Sequence, residues 1–337
     1  MKNYFTLQWH LTDDCDQRCK HCYIWQKTRV ESSVSLEQDK GVIKNFVRFC
    51  DQMGVLPSMA ITGGDPLLYP YVWQILEELK RRKISFSILG NPFHLTAKVA
   101  QRLKGLGCEK YQMSLDGLEK THDLLRKPGS FKTTLGAVPI IKNAGITCTI
   151  MSTVSLINYL EFPELARLCA EHKVNGFAFS RYCPNNQDTE HNIPALVYRQ
   201  FLAKMWQVYS ELVDGKTNFI LKDHLLVAYL YEEGLYRLRD GQDIVFDGCN
   251  CGTKHMTLLP DGTVFACRRF DSPVGNIRNQ SFKEIFSSEE MNQYRQIEKL
   301  DGCKDCILLN YCRGCHAVSA GTTGNYFSND PSCWRID

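Results

Sequence analysis

Three cysteines near the N-terminus, Cys15, Cys19 and Cys22, are spaced C-x3-C-x2-C. Three thiolates on so short a loop can hold three irons of a 4Fe–4S cube and leave the fourth iron without a protein ligand. An iron with an open position can bind and reduce a substrate, as open metal positions do in catalytic sites. Zinc is the competing use of clustered cysteines. A structural zinc wants four closed ligands, usually as two pairs, and a Cys–His–Cys run through His21 does not readily aim all its members at one ion. Eight more cysteines crowd the C-terminal part: Cys249, Cys251, Cys267, Cys303, Cys306, Cys312, Cys315 and Cys333. Eight thiolates divide into two fully ligated cubes of four; two zinc sites are the chemical alternative. Cys50, Cys108, Cys148, Cys169 and Cys183 stand singly in apolar or helical contexts and read as small buried hydrophobes.

The elements that must position these cysteines alternate. Strands are expected at Tyr4–Leu11, Pro57–Thr62, Ile84–Leu89, Tyr111–Leu115, Thr147–Val154 and Gly176–Arg181. Helices are expected at Leu36–Met53, Tyr71–Arg82, Lys98–Leu106, Phe131–Ala144, Leu160–His172 and Val197–Leu212. Six strands, each followed by a helix, imply a parallel sheet with right-handed crossovers, whose chemistry falls at the C-terminal ends of the strands. The cysteine loop, Gly63-Gly64, Gly90-Asn91, Ser114 to Gly117 and Arg181 all come just after or at such ends. Beyond Gly215 the pattern changes: Asn218–Asp240 reads as an aromatic-rich helix, and from Gly248 onward cysteine dominates. The expected division is 1–215, a helical linker 216–248 and a cysteine-rich domain 249–337.

Composition removes several function classes. With 337 residues and 44% hydrophobic content the chain can bury a large core, so its cysteines are not needed as the disulfide staples of a small secreted scaffold. The N-terminal MKNYFTLQWHLTDDC has no apolar signal core, and no run approaches the roughly 20 apolar residues of a membrane span. A net charge of +3 gives no electrostatic case for nucleic acid or an anionic membrane. These features point to a cytoplasmic protein whose thiolates are metal ligands.

The motifs resemble, in order, those of the radical S-adenosylmethionine superfamily. Cys15-x3-Cys19-x2-Cys22 matches its cluster loop, with Tyr23 after the last cysteine and His21 before it. Gly63-Gly64-Asp65-Pro66 resembles the GGEP-like edge that receives the methionyl amino group; standing alone, such a tetrapeptide is a turn. Ser114-Leu115-Asp116-Gly117 with His122-Asp123 and Arg126 resembles the stretch of peptide-modifying members in which the serine and arginine reach the cofactor's ribose and carboxylate. For Arg126 the bland alternative is a solvated charge. Gly90-Asn91-Pro92 departs from the Thr-Asn-Gly of relatives. Arg181 could face the site, with a structural ion pair as the equal alternative. The C-terminal block resembles a SPASM domain: Gly262 leads to Cys267 as G-x4-C, and Cys303-x2-Cys306-x5-Cys312-x2-Cys315 differs from the usual pattern only in the last spacing. By that resemblance Cys249, Cys251, Cys267 and Cys315 share one auxiliary cluster and Cys303, Cys306, Cys312 and Cys333 the other.

The resemblance implies a partial (β/α)6 TIM-like barrel with a C-terminal SPASM domain, binding three 4Fe–4S clusters and S-adenosylmethionine. It implies an enzyme that cleaves S-adenosylmethionine reductively to a 5′-deoxyadenosyl radical and oxidatively modifies a ribosomally made peptide. Residues 8–23 are similar to maturases of Ala-Cys-Gly-repeat peptides, which would make the peptide Cys-containing and the product a thioether crosslink. An external one-electron donor such as flavodoxin or ferredoxin would be needed. No leader-binding segment is expected before the first strand, which would leave leader recognition to another protein or to the core. A sulfatase-type, formylglycine-forming maturase is the enzymatic alternative; its members carry Asp directly after the G-x4-C cysteine, where this chain has Arg268-Arg269. A non-catalytic iron–sulfur carrier is the alternative of another class, and it would have no use for Gly63-Gly64-Asp65-Pro66, Ser114 or Arg126.

Overall fold

A computed structural model describes residues 3–22, 35–184, 187–213, 215–220, 222–239 and 245–336. The strands are β1 (Tyr4–His10), β2 (Leu56–Thr62), β3 (Ser85–Leu89), β4 (Cys108–Met113), β5 (Thr147–Val154), β6 (Gly176–Arg181), β7 (Asn218–Ile220), β8 (His255–Leu258), β9 (Thr263–Phe265) and β10 (Pro273–Asn276). The main helices are α1 (Leu36–Met53), α2 (Val72–Arg81), α3 (Ala97–Leu106), α4 (Glu119–Leu125), α5 (Ser130–Asn143), α6 (Phe162–Glu171), α7 (Ala195–Glu211) and α8 (Leu225–Glu232). The fold is mixed α/β, with parallel strands followed by helices and a cysteine-rich C-terminal part. The chain divides into two compact units. One comprises Met1–Met113, Asp123–Thr149 and Asn250–Arg295; the other comprises Ser114–His122, Ile150–Cys249 and Gln296–Asp337.

In the first unit β1, β2, β3 and β4 lie side by side in parallel register, Tyr4 opposite Leu56 and Ser58 opposite Ser85. Helix α1 starts where Ser35 and Gln38 form a reciprocal capping box, satisfying backbone N–H groups that the first turn would leave unpaired. Its buried face, Val42, Ile43, Phe46 and Phe49, repeats at helical spacing. Phe46 and Phe49 join Phe5 of β1 and Phe282 and Phe286 in one aromatic cluster, with Phe5 edge-on to Phe49 at 4.9 Å. On its other side β1 pairs in parallel with β8, which continues antiparallel into β9 and β10. The turn between β8 and β9 needs Gly262: its φ is +87°, and a Cβ there would come within 2.9 Å of Asn276 Oδ1. The glycine of the G-x4-C element is therefore a hairpin residue that sets up Cys267.

In the second unit β6 pairs in parallel with β7, Gly176 opposite Asn218. Phe162, Phe179 and Phe201 pack edge to face, and Phe219 stacks on Tyr209 at 4.3 Å. This corrects the expected helix over Asn218–Asp240. The apolar content of that stretch is split between a three-residue strand, held by backbone pairing with β6, and the helix α8. The strand expected at Tyr111–Leu115 begins earlier, at the buried Cys108, and ends before Ser114. Among the described residues no helix is long and apolar enough to cross a membrane.

Candidate active site

Strand β1 delivers the chain into the loop of Cys15, Cys19 and Cys22, all three half-buried. Gln17 holds the loop from inside. Its amide donates to Ser130 Oγ at 2.9 Å, its backbone N–H lies 3.4 Å from Cys15 Sγ, and its Oε1 lies 3.7 Å from Cys19 Sγ. Asn91, just after β3, donates through Nδ2 to Asp16 Oδ1 at 2.8 Å and sits 3.8 Å from Cys15 Sγ. Its own carbonyl accepts from the buried Tyr111 hydroxyl at 2.9 Å. The loop is tied on its far side by Lys20 N–H donating to the Leu125 carbonyl at 2.8 Å. Arg126 follows at once, with Nη1 3.6 Å from Cys19 Sγ. Burial, reinforced by Cys19 and Asp65, pushes the Cys15 thiol up to about 11. Such a cysteine becomes a thiolate when a cation takes up its charge, which is the donor chemistry an iron cluster requires.

The Gly63-Gly64-Asp65-Pro66 edge is fastened to this loop by two backbone bonds of 2.7 Å, Gly64 N–H to Thr12 O and Asp65 N–H to Asp14 O. A Cβ on Gly63 would come within 2.6 Å of the Thr12 carbonyl, and one on Gly64 would overlap that of Asp14. The glycines are thus required by backbone meeting backbone, a cause the sequence reading did not supply. Asp65 is fully buried, and burial pushes its carboxyl up to about 7. Its Oδ1 accepts from Leu67 N–H at 3.2 Å, whereas Oδ2 has no hydrogen-bond partner among the described residues. A buried acceptor left without a donor is costly, and a carboxylate there suits an ammonium group. Asp16 and His94 place ligand atoms within 4.8 Å of it. The residues present therefore fit the amino group of S-adenosylmethionine beside a three-cysteine loop.

His21 is half-buried on the same loop, and Tyr23 lies outside the described residues. Ser114, in the second unit, directly follows β4 and is half-buried. The rest of its motif is scaffolding. Asp116 and His122 are fully buried; Asp116 N–H donates to His122 Nδ1 at 3.0 Å, and Asp116 Oδ1 accepts from Thr153 N–H at 2.7 Å. Asp123, in the first unit, accepts from Gly129 and Phe131 N–H and so starts α5. Arg181 realises the structural alternative left open for it: its guanidinium is buried between Asp223 and Asp330.

Among the C-terminal cysteines, Cys303, Cys306, Cys312 and Cys333 line one cavity in the second unit. Burial pushes Cys303 up to about 12 and raises Cys312 and Cys333 as well. Four thiols lining one space, with Cys303 and Cys312 buried and Cys306 and Cys333 half-buried, fit a fully ligated cluster. Cys251 and Cys267 lie in the first unit, and both act on Tyr294, whose hydroxyl burial pushes up to about 12. Cys249 and Cys315 lie in the second unit. Arg268, standing where a sulfatase-type maturase has Asp, is buried and meets His10 Nδ1. Of the buried supports, Gln17 and Asp330 carried no sequence signal; Asn91 carried one, its place after the third strand.

Comparison with known proteins bears on the family and the fold. The model of the Radical SAM superfamily matches residues 9–169, and that of SPASM, an iron–sulfur cluster-binding domain, matches 249–316. An AdoMet-dependent heme synthase of Methanosarcina barkeri (strain Fusaro / DSM 804) is 26% identical over 97% of this chain and 95% of its own. Mycofactocin maturase MftC of Mycolicibacterium smegmatis is 26% identical over 97% of this chain and 82% of its own. The crystal structure of Streptococcus suis SuiB bound to S-adenosylmethionine superposes with a TM-score of 0.77 at 19% identity, covering 99% of this chain and 78% of that one. SuiB bound to its precursor peptide SuiA superposes at 0.75.

Proposed function

This chain belongs to the radical S-adenosylmethionine superfamily and carries a SPASM iron–sulfur domain, and from that premise we propose that it oxidatively modifies a ribosomally made, cysteine-containing peptide. It is an enzyme whose cofactors are 4Fe–4S clusters and S-adenosylmethionine. When bound, these supply one-electron reduction of a sulfonium and a radical able to take hydrogen from an unactivated carbon. In our reading Cys15, Cys19 and Cys22 hold three irons of the first cluster. Asp65 Oδ2 accepts from the methionyl ammonium, and Arg126 and Ser114 orient the carboxylate and ribose. Cys303, Cys306, Cys312 and Cys333 hold one auxiliary cluster; Cys249, Cys251, Cys267 and Cys315 hold the other. An external one-electron donor serves the first cluster.

The observation that carries the reading is the fully buried Asp65 oxygen beside the cysteine loop, which has no hydrogen-bond partner among the described residues. An iron–sulfur electron carrier has no need to bury an unsatisfied carboxylate there. Arg126→Ala is expected to weaken S-adenosylmethionine binding by about 1.5–3 kcal/mol, the span of a hydrogen bond to a charged group. Equilibrium binding with the clusters intact measures it, and an unchanged dissociation constant removes Arg126 from the cofactor contacts.

The peptide rests on the maturases among the relatives, whereas the heme synthases favour a second reading in which a heme precursor is the substrate. Mass spectrometry separates the two. The reduced, reconstituted enzyme is given S-adenosylmethionine with either a short cysteine-rich peptide encoded beside its gene or a heme precursor. A peptide lighter by two hydrogens supports the first reading; an unchanged peptide and a converted heme precursor establish the second.

A further inference from the structure

Arg181 ends β6, and its planar guanidinium donates to two buried carboxylates. Nε donates to Asp223 Oδ2 at 2.9 Å, while Nη1 and Nη2 donate to Asp330 Oδ1 and Oδ2 at 2.5 and 2.7 Å. All three side chains are at most 3% exposed, and the Tyr198 ring lies 5.0 Å from the guanidinium. Asp330 is more than the arginine's partner. Its Oδ2 also accepts from Cys315 N–H at 2.6 Å, its Oδ1 from Ser332 N–H at 3.0 Å, and its carbonyl from Cys333 N–H at 2.9 Å. A Cβ on Gly314 would stand 2.6 Å from Asp330, so the Cys312–Cys315 turn is pressed against this carboxylate. Asp330 lines the cavity of Cys303, Cys306, Cys312 and Cys333. Asp223 fixes another wall: its Oδ1 accepts from Leu225 N–H at the start of α8, whose Ala228 lines the same cavity.

A buried ion cluster of this kind is a poor source of stability, because desolvation offsets most of its Coulomb attraction. What it supplies is geometry. The guanidinium fork fixes both oxygens of Asp330, and Asp330 in turn fixes the backbone at Cys315, Ser332 and Cys333. We propose that Arg181 is a positioning residue for the auxiliary cluster: through Asp330 it holds the backbone that presents Cys312 and Cys333, and it pairs the carboxylate that borders their cavity. The inference rests on the reading that Cys303, Cys306, Cys312 and Cys333 hold that cluster. It takes Arg181 out of the S-adenosylmethionine contacts.

Charge makes the role testable, since a cluster's potential follows the net charge around it. Arg181→Met leaves Asp330 negative and unpaired, so the auxiliary potential is expected to fall. Asp330→Asn leaves Arg181 positive and only partly paired, so the potential is expected to rise. Both variants should also retain fewer of the roughly four irons of one cube. S-adenosylmethionine affinity should stay within about twofold of wild type, less than 0.5 kcal/mol on the affinity scale. Arg181→Lys keeps the charge and loses the fork; it is expected to fold, with a potential between wild type and the Met variant, and it decides the matter if the Met variant does not fold. The measurements are iron and acid-labile sulfide per chain, potentiometric titration followed by electron paramagnetic resonance, and S-adenosylmethionine binding, all on the reconstituted full-length holoenzyme. Wild-type iron and potential in the arginine variants overturn the proposal, as does a tenfold loss of S-adenosylmethionine affinity at full iron content. A Cys303→Ala/Cys306→Ala control separates the two levels: if it keeps its full iron, the cluster reading itself has failed.

Discussion

Replacing Cys15, Cys19 and Cys22 together with Ala is expected to abolish 5′-deoxyadenosine formation while leaving about eight irons per chain, from two cubes of four. The expected loss is complete because the three cysteines are the thiol donors of their loop and the Asp65 carboxylate beside it cannot replace them. The loop should nevertheless keep its shape. Gln17 is anchored on Ser130, Lys20 on the Leu125 carbonyl, and the Gly64 and Asp65 N–H groups on Thr12 and Asp14, none of which involves a thiol. The Asp65 pocket should therefore persist, and the variant separates cofactor binding from cofactor cleavage. Quantifying 5′-deoxyadenosine after chemical reduction, alongside iron counts, checks both halves. Full cleavage activity in the triple variant would sink the assignment of this loop.

The parts of this site that could be read from the sequence are those whose chemistry depends on local spacing. C-x3-C-x2-C is set within eight residues, and Gly63-Gly64-Asp65-Pro66 within four. The helices whose apolar face repeats over three or more turns, such as α1 and α7, are also legible. What escaped depends on distant partners. Strands β7, β8, β9 and β10 are three or four residues long, too short to show a period, and they exist because neighbouring strands pair with them. Asn91 follows a strand in a sequence that departs from its relatives, and only the 2.8 Å bond to Asp16 shows what it does. Gln17 carries no signal in its place between cysteines, yet it is buried and meets Ser130 across 113 residues of chain. Asp330 lies 149 residues from Arg181, a separation over which no local pattern could relate them. Gly63-Gly64 is legible as part of a GGEP-like edge, but the sequence does not say that the chain's own backbone at Thr12 and Asp14 crowds both glycines.

The second large effect is an uncoupling. Replacing Cys303 and Cys306 with Ala should remove one auxiliary cluster, since two of its four thiolates are too few to retain a cube. Both cysteines belong to the second unit, whereas Cys15, Cys19, Cys22, Asp65 and Arg126 belong to the first; Ser114, the cofactor contact in the second unit, is not altered. Formation of 5′-deoxyadenosine should therefore survive. Peptide modification should not, because a substrate radical must lose an electron for the net reaction to be an oxidation, and the acceptor has been removed. The expected phenotype is 5′-deoxyadenosine accumulating while the peptide mass stays constant. Folding is the confounder: a cysteine-rich segment can owe its structure to its metal, as small metal-bound domains do. The structure narrows that risk. The cavity wall is also held by the Arg181–Asp330–Asp223 cluster and by Arg313, which donates to the carbonyls of Leu309, Asp247 and Cys249. These supports do not involve Cys303 or Cys306. A thermal unfolding transition and an iron count of about eight on the same sample would show that the remaining clusters are in place. If that folded variant still delivers fully modified peptide, the auxiliary cluster is a structural staple and the electron must leave by another route.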